Sequence, residues 1–141
     1  MAEAVERADD RAAVSVLIVD DQAPFRTAAR AVVRATPGFE VVGEATSGEE
    51  AVALAAGLRP ALILMDINMD GMSGIEASRR IVGEDADASV VLLSTYDEAD
   101  LPSDARSCGA IAYVHKERFG PDVLDAVWRD RSAGKNGPLS G

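Results

Sequence analysis

The chain has 141 residues, 48% of them hydrophobic, and carries a formal net charge of −10 at pH 7, so it is long enough for one domain with a buried core. The acidic balance argues against nonspecific binding to nucleic acid and to anionic membranes, because both require basic surfaces. One cysteine cannot form an internal disulfide, the start lacks the apolar segment of a signal peptide, and no apolar run approaches the roughly 20 residues of a membrane span, so we expect a cytoplasmic protein.

Strand and helix patterns alternate along the middle of the chain. Short apolar runs predict five strands, at Val14–Asp20, Phe39–Glu44, Ala61–Asp66, Val90–Ser94 and Ala110–Val114. Apolar residues at helical spacing predict helices at Phe25–Ala35, Ser47–Ala56, Ser73–Val82 and Pro121–Arg131. Around a domain of residues 14–131, the charged start (1–13) is predicted to be a flexible extension, and the Gly-, Ser- and Pro-rich end (132–141) a flexible tail or the start of a linker.

Two helix starts and one helix end have specific local signals. Ser47 with Glu50, and Ser73 with Glu76, each match a capping box, in which the serine hydroxyl accepts a hydrogen bond from the amide three residues later. Gly57 is predicted to end the second helix.

The weakest helix pattern lies between the fourth and fifth strands. Asp97 is a possible cap there, but Pro102 interrupts the pattern, so we predict only a short or irregular helix. Even so, the strict alternation of strands and helices implies a parallel sheet with helices on both faces. In such sheets the functional residues cluster at the carboxyl ends of the strands.

Three aspartates follow apolar strands. Asp20 and Asp21 close the run VLIV, and Asp66 closes the run LILM. If these strands are neighbours, three negative charges meet at one edge of the sheet, which is unfavourable unless a cation compensates them. Carboxylates of this kind suit Mg²⁺, which binds a few of them together with waters and a phosphate oxygen. Taken singly, each acid is as readily explained as a helix cap or a solvated charge.

Two residues at the same predicted edge suit a phosphate. Ser94 ends the fourth strand and offers a hydroxyl, and Lys116 follows the fifth strand and offers a positive charge. Together with the acids they form the parts of a phosphoryl-transfer site, which relies mainly on positioning and electrostatics. Asp66 is the best candidate nucleophile, which would form an aspartyl phosphate.

These motifs, in this order and spacing, resemble the receiver domain of two-component response regulators over about residues 14–131. The matching segments are VLIVDD, DINMDGMSG, VVLLST and GAIAYVHK. The resemblance implies an α/β, doubly wound, flavodoxin-like fold: a five-stranded parallel sheet in the order 2-1-3-4-5, flanked by five helices.

The resemblance also implies a role for each matching residue. Asp66 is the expected phosphoacceptor, with Ser94 and Lys116 contacting the phosphoryl group, and Ser94 and Tyr113 are the expected switch residues. The Mg²⁺ ligands are expected to be Asp20, Asp21, Asp66 and the main-chain carbonyl of Asn68. The expected donor is a histidine kinase or a histidine phosphotransfer protein, and the surface around strands four and five is expected to bind a downstream protein or a second copy. Beyond self-catalysed phosphorylation and dephosphorylation, no enzyme activity is expected.

Several positions depart from the family pattern without removing a primary chemical group, among them Ser73 in place of the frequent Asn or Asp before Gly74, and Glu117 in place of proline after Lys116. Asp70 stands where proline is usual and adds a charge to the loop after Asp66, Thr95 is larger than the usual small residue, and the Pro102 segment replaces the usual fourth helix. These departures affect expected rates and the output surface.

Other functions on the same fold are less well supported. A Mg²⁺-dependent phosphatase with an aspartyl intermediate commonly has a second acid two residues after the nucleophile, where this chain has Asn68. A nucleotide- or flavin-binding module would need a Gly-rich loop after the first strand, where this chain has an acidic one. A receiver that signals without phosphorylation would not need the acids, hydroxyl and lysine.

The output is open between two interpretations. We favour a stand-alone receiver that does not itself bind nucleic acid or membrane. The alternative is the receiver fragment of a DNA-binding transcriptional regulator, because GFEVVGEATSGEEAV resembles receivers that precede a helix-turn-helix domain.

Overall fold

Five strands form one parallel sheet. The structure is a computed structural model that describes residues 13–131; the predicted flexible tail, and all but the last residue of the predicted N-terminal extension, lie outside the described residues. The strands are β1 (Val14–Val19), β2 (Phe39–Ala45), β3 (Leu62–Asp66), β4 (Ser89–Ser94) and β5 (Ala112–His115). Their order is β2-β1-β3-β4-β5, and each neighbouring pair is parallel. The predicted doubly wound fold and strand order are therefore confirmed.

Within residues 13–131, four α-helices cover the two faces of this sheet. They are α1 (Ala23–Ala35), α2 (Gly48–Leu58), α3 (Gly74–Glu84) and α4 (Pro121–Arg129). Alternate residues along the strands pack with α1 and α4 on one face and with α2 and α3 on the other. The inner strands β1, β3 and β4 are apolar because both of their faces are buried. None of the helices in the described part of the chain has the length and apolar character needed to cross a bilayer.

Both predicted serine caps are present, but the end of α2 was predicted wrongly. The Ser47 and Ser73 hydroxyls accept hydrogen bonds from the amides three residues later, at 3.0 and 3.2 Å. Helix α2 continues through Gly57 to Leu58, because one glycine in a helix costs only about 1 kcal/mol. The helix ends where Arg59 adopts a left-handed conformation (φ 48°) and donates to the carbonyl of Ala55.

The segment between β4 and β5 contains no α-helix. Two 3₁₀ turns, Glu98–Asp100 and Ser103–Ser107, stand where the resemblance implies the fourth of five helices. Pro102 between them is extended (φ −54°, ψ 143°), which prevents the turns from joining into one helix. The prediction of a short or irregular helix is consistent with these turns. Strand β5 begins two residues later than predicted, after Gly109 turns the chain with φ +96°.

The register of the sheet places two of the three aspartates side by side. Val19 of β1 pairs with Met65 of β3. The residues that follow Val19 and Met65 are Asp20 and Asp66, which therefore lie at the carboxyl ends of adjacent strands.

Candidate functional site

Three carboxylates meet at the carboxyl edge of the sheet. Asp20 and Asp66 are buried, with 0% and 3% of their surfaces exposed, and Asp21 is half-buried. Each offers a carboxylate oxygen, and these oxygens all lie within 4.8 Å of one another. Asp70 is exposed and is not a member of this cluster. The three acids that the sequence predicted to be close together are therefore close together.

The oxygens of Asp20 suit a hard cation. Asp20 Oδ1 accepts a hydrogen bond from the main-chain amide of Gln22 at 2.8 Å, which fixes the carboxylate group. Asp20 Oδ2 is buried and accepts no hydrogen bond of good geometry among the described residues, although Lys116 Nζ lies 2.7 Å away as an ion pair. A buried anionic oxygen that is only partly compensated is a suitable ligand for Mg²⁺.

Lys116 lies between the two buried acids. Its Nζ atom is 2.7 Å from Asp20 Oδ2 and 3.3 Å from Asp66 Oδ1. The same atom lies 4.6 Å from the centre of the Phe25 ring, within the range of a cation–π interaction. Burial alone would lower the pKa of Lys116, but its interactions with Asp20 and Asp66 outweigh burial and raise that pKa. Lys116 is therefore charged in the folded protein at neutral pH.

Asp66 has a strongly perturbed carboxyl group. Burial, and then the negative charge of Asp20, raise its pKa from 3.8 to about 6, against opposing contributions from Lys116 and the Asn68 amide. At pH 7 to 8 most of this carboxylate is ionised, so a negative charge is held in an unfavourable electrostatic environment. Such a perturbed group at a strand end is typical of functional sites.

The loop after Asp66 is held close to it by two glycines. A Cβ atom on Gly74 would collide with the main-chain oxygen of Asp66. Gly71 adopts a left-handed conformation (φ +77°) beside the Glu49 carboxylate, which accepts a hydrogen bond from the Met72 amide at 3.3 Å. Gly74 belongs to the DINMDGMSG motif, but nothing in the sequence indicated the contact from Glu49.

The predicted switch residues line a groove beside the acidic cluster. Ser94 is buried, and its hydroxyl accepts a hydrogen bond from the Tyr96 amide at 3.2 Å. Ser94 follows Leu93, which is the register partner of Asp66. Tyr113 on β5 is half-buried, with Arg106 over its ring at 5.7 Å. Both line an open groove of about 480 Å³, together with residues that follow β4 and residues at the end of β5.

Residues 16–128 match the response regulator receiver domain family. The chain belongs to this family. A receiver is a signalling module rather than a conventional enzyme, and the cluster of Asp20, Asp21 and Asp66 is a place where such a module could hold a metal ion.

Relatives of this receiver have names that describe different kinds of protein. Transcriptional regulatory protein LiaR of Bacillus subtilis (strain 168) is 37% identical over 125 residues, which is 89% of this chain and 58% of LiaR. Protein-glutamate methylesterase/protein-glutamine glutaminase 4 of Myxococcus xanthus (strain DK1622) is 43% identical over 112 residues, 78% of this chain and 31% of that protein. The chain thus spans only part of the length of these relatives.

Solved structures show the same fold. A two-component response regulator of the LuxR family from Aurantimonas sp. SI85-9A1 superposes with a TM-score of 0.77 at 27% identity, covering 86% of each chain.

Proposed function

We propose that this receiver accepts a phosphoryl group on Asp66 in a Mg²⁺-dependent reaction, with a histidine kinase or a histidine phosphotransfer protein as the donor. The observation that carries the proposal is the position of Asp66: a buried carboxylate with raised pKa, beside Asp20 and 3.3 Å from an ammonium group. The proposed Mg²⁺ ligands are Asp20, Asp21, Asp66 and the main-chain carbonyl of Asn68.

Transfer of the phosphoryl group requires Asp66 and a phosphohistidine on the donor protein. An Asp66 carboxylate oxygen attacks phosphorus, the new P–O bond forms, and the P–N bond to the donor imidazole breaks. The imidazole leaves with the electron pair of that bond and takes up a proton from solvent, which returns the donor histidine to its neutral form. Mg²⁺, when bound, would compensate the carboxylates and the transferring phosphoryl oxygens. Lys116 is placed to neutralise one of the negative charges that the phosphoryl group adds.

The output follows from the same charge. The Ser94 hydroxyl accepts a hydrogen bond from the Tyr96 main-chain amide. We expect the phosphoryl group to draw this hydroxyl toward it and Tyr113 to move inward, which changes the surface around β4 and β5. A downstream protein or a second copy of the chain would bind the changed surface.

Whether DNA binding is part of the output depends on the full protein. The name of LiaR describes a transcriptional regulator, and the Myxococcus xanthus relative is named as an enzyme. The stand-alone receiver stays a prediction, with the receiver of a longer DNA-binding regulator as the alternative. Reading the open reading frame on both sides of these 141 residues distinguishes the two.

The proposal is tested with a small phosphodonor. Wild type, Asp66→Ala and the exposed-acid control Asp70→Ala are incubated with acetyl phosphate in Mg²⁺ or in EDTA, and the intact mass is recorded. We expect an acid-stable, base-labile gain of one phosphoryl group in wild type and Asp70→Ala, only with Mg²⁺. A gain that persists in Asp66→Ala rules the proposal out, and steady turnover of phosphoesters would favour the phosphatase instead.

A further inference from the structure

The main chain between the two metal-site acids has a side-chain partner. Arg26, in the first turns of α1, donates a hydrogen bond from Nη1 to the main-chain oxygen of Asp20 at 2.8 Å. That oxygen belongs to the peptide group that joins Asp20 to Asp21. The orientation of this peptide group sets the directions in which both carboxylates leave the backbone.

The rest of the Asp20 backbone and side chain is fixed by other contacts. Its amide donates to the carbonyl of Ala45 on β2 at 3.1 Å, and its Oδ1 accepts from the Gln22 amide. The hydrogen bond from Arg26 fixes the main-chain carbonyl, which is the remaining polar group of the Asp20 backbone. A charge-assisted hydrogen bond of this length is stronger than one from a neutral donor.

Arg26 is itself held in place. Its side chain is only 19% exposed, and its Nε atom lies 3.6 Å from Glu44 Oε1. Glu44, on β2, is fixed in turn by a two-point contact with Arg30, at 2.6 and 3.0 Å. Arg30 is therefore a matched control, because its guanidinium group contacts the same partner, Glu44, whereas that of Arg26 also reaches the Asp20 main chain.

From these contacts we infer that Arg26 is a positioning residue for the metal site: it holds the Asp20–Asp21 peptide group so that both carboxylates point to one cation. The inference rests on the proposed function, since it assumes that these acids bind Mg²⁺. Without the guanidinium group, the Asp20 carbonyl loses its partner and the peptide group is free to turn, so the two carboxylates converge on one point for less of the time. Residues that orient metal ligands in this way typically contribute 10- to 100-fold to metal affinity.

The test separates metal affinity from fold stability. Mg²⁺ is titrated calorimetrically into wild type, Arg26→Gln and Arg30→Gln, and each protein is also unfolded by urea in EDTA. We expect Arg26→Gln to raise the Mg²⁺ dissociation constant about tenfold and Arg26→Lys to restore part of the affinity. Arg30→Gln, which acts on the site only through Glu44, should change the dissociation constant much less.

Two results would overturn the inference. One is an Arg26→Gln variant that is less stable in EDTA but binds Mg²⁺ as tightly as wild type, since Arg26 would then only tie α1 to the sheet. The other is an equal loss of affinity in Arg30→Gln. If Arg26→Gln does not fold, Arg26→Met, which retains the apolar stem, is titrated with the same expectation. Failure of wild type to bind Mg²⁺ would instead refute the proposed function, and the inference with it.

Discussion

Replacing Asp66 with asparagine should stabilise the metal-free protein, although it removes the proposed phosphoacceptor. Asp66 is ionised at pH 8 in a buried position beside Asp20, and these two features raise its pKa from 3.8 to about 6. Asparagine has nearly the same shape but no charge, and Lys116 retains its ion pair with Asp20. The variant therefore removes an electrostatic cost without leaving Lys116 unpaired.

The size of the effect follows from the raised pKa. If the pKa of Asp66 is about two pH units higher in the folded state than in the unfolded state, ionised Asp66 destabilises the folded protein by about 3 kcal/mol. Because the folded-state pKa is the higher one, the folded protein binds more protons between about pH 4 and pH 6, and stability falls as pH rises through that window. Asp66→Asn should thus gain little at pH 4 and up to about 3 kcal/mol at pH 8.

Urea unfolding in EDTA at pH 4.5 and pH 8 measures this difference. Asp70→Asn is the control, because it changes the net charge equally but the acid is exposed and outside the cluster. We expect the control to match wild type at both pH values. The reasoning is refuted if Asp66→Asn is less stable than wild type at pH 8, or if its advantage is the same at both pH values.

Three further predictions concern the surroundings of Asp66. Asp21→Asn should raise the melting temperature in EDTA, because it removes one of three clustered negative charges. The same variant should lose much of the stabilisation that Mg²⁺ gives wild type, and it should not be phosphorylated. A melting temperature below that of wild type in EDTA would contradict this prediction. Gly74→Ala should lower the free energy of unfolding by about 1–3 kcal/mol in urea titrations, because its Cβ collides with the Asp66 main chain; unchanged stability would show that the loop yields freely. The pKa of Glu44 is lowered by its hydrogen bond with Arg30, so Glu44→Gln should lower the free energy of unfolding at pH 7. The loss should become smaller as the pH falls below the ordinary pKa of a glutamate carboxyl group. A loss that does not depend on pH would argue against this ion pair.

The acidic cluster could be predicted from sequence because it depends on backbone register. Two apolar strands that each end in aspartate bring those aspartates together if the strands are parallel neighbours, and β1 and β3 are. Lys116 follows β5 by the same logic. For these residues the end of each strand determines where the backbone lies, and the side chain only has to extend toward the carboxyl edge of the sheet.

The contacts of Arg26 and Phe25 could not be predicted in that way. Both depend on how α1 packs on the sheet and on which rotamer each long side chain adopts, and neither leaves a spacing pattern in the sequence. The extension of α2 through Gly57 was missed because the glycine signal competes with the good helix formers on both sides of it, Ala53–Ala56 before it and Leu58 after it. The weak helix before β5 was anticipated from Pro102, since proline acts on the backbone directly.

The central claim is that Asp66 receives the phosphoryl group, and chemical trapping of the acyl phosphate tests it most directly. After treatment with acetyl phosphate and Mg²⁺, borohydride reduces an aspartyl phosphate to homoserine. Homoserine is stable, so peptide mass spectrometry can identify its position in the sequence. The account predicts homoserine at position 66 and at no other aspartate, with none formed in EDTA. Homoserine at Asp20, Asp21 or Asp70, or none at all under conditions where the protein binds Mg²⁺, would contradict it.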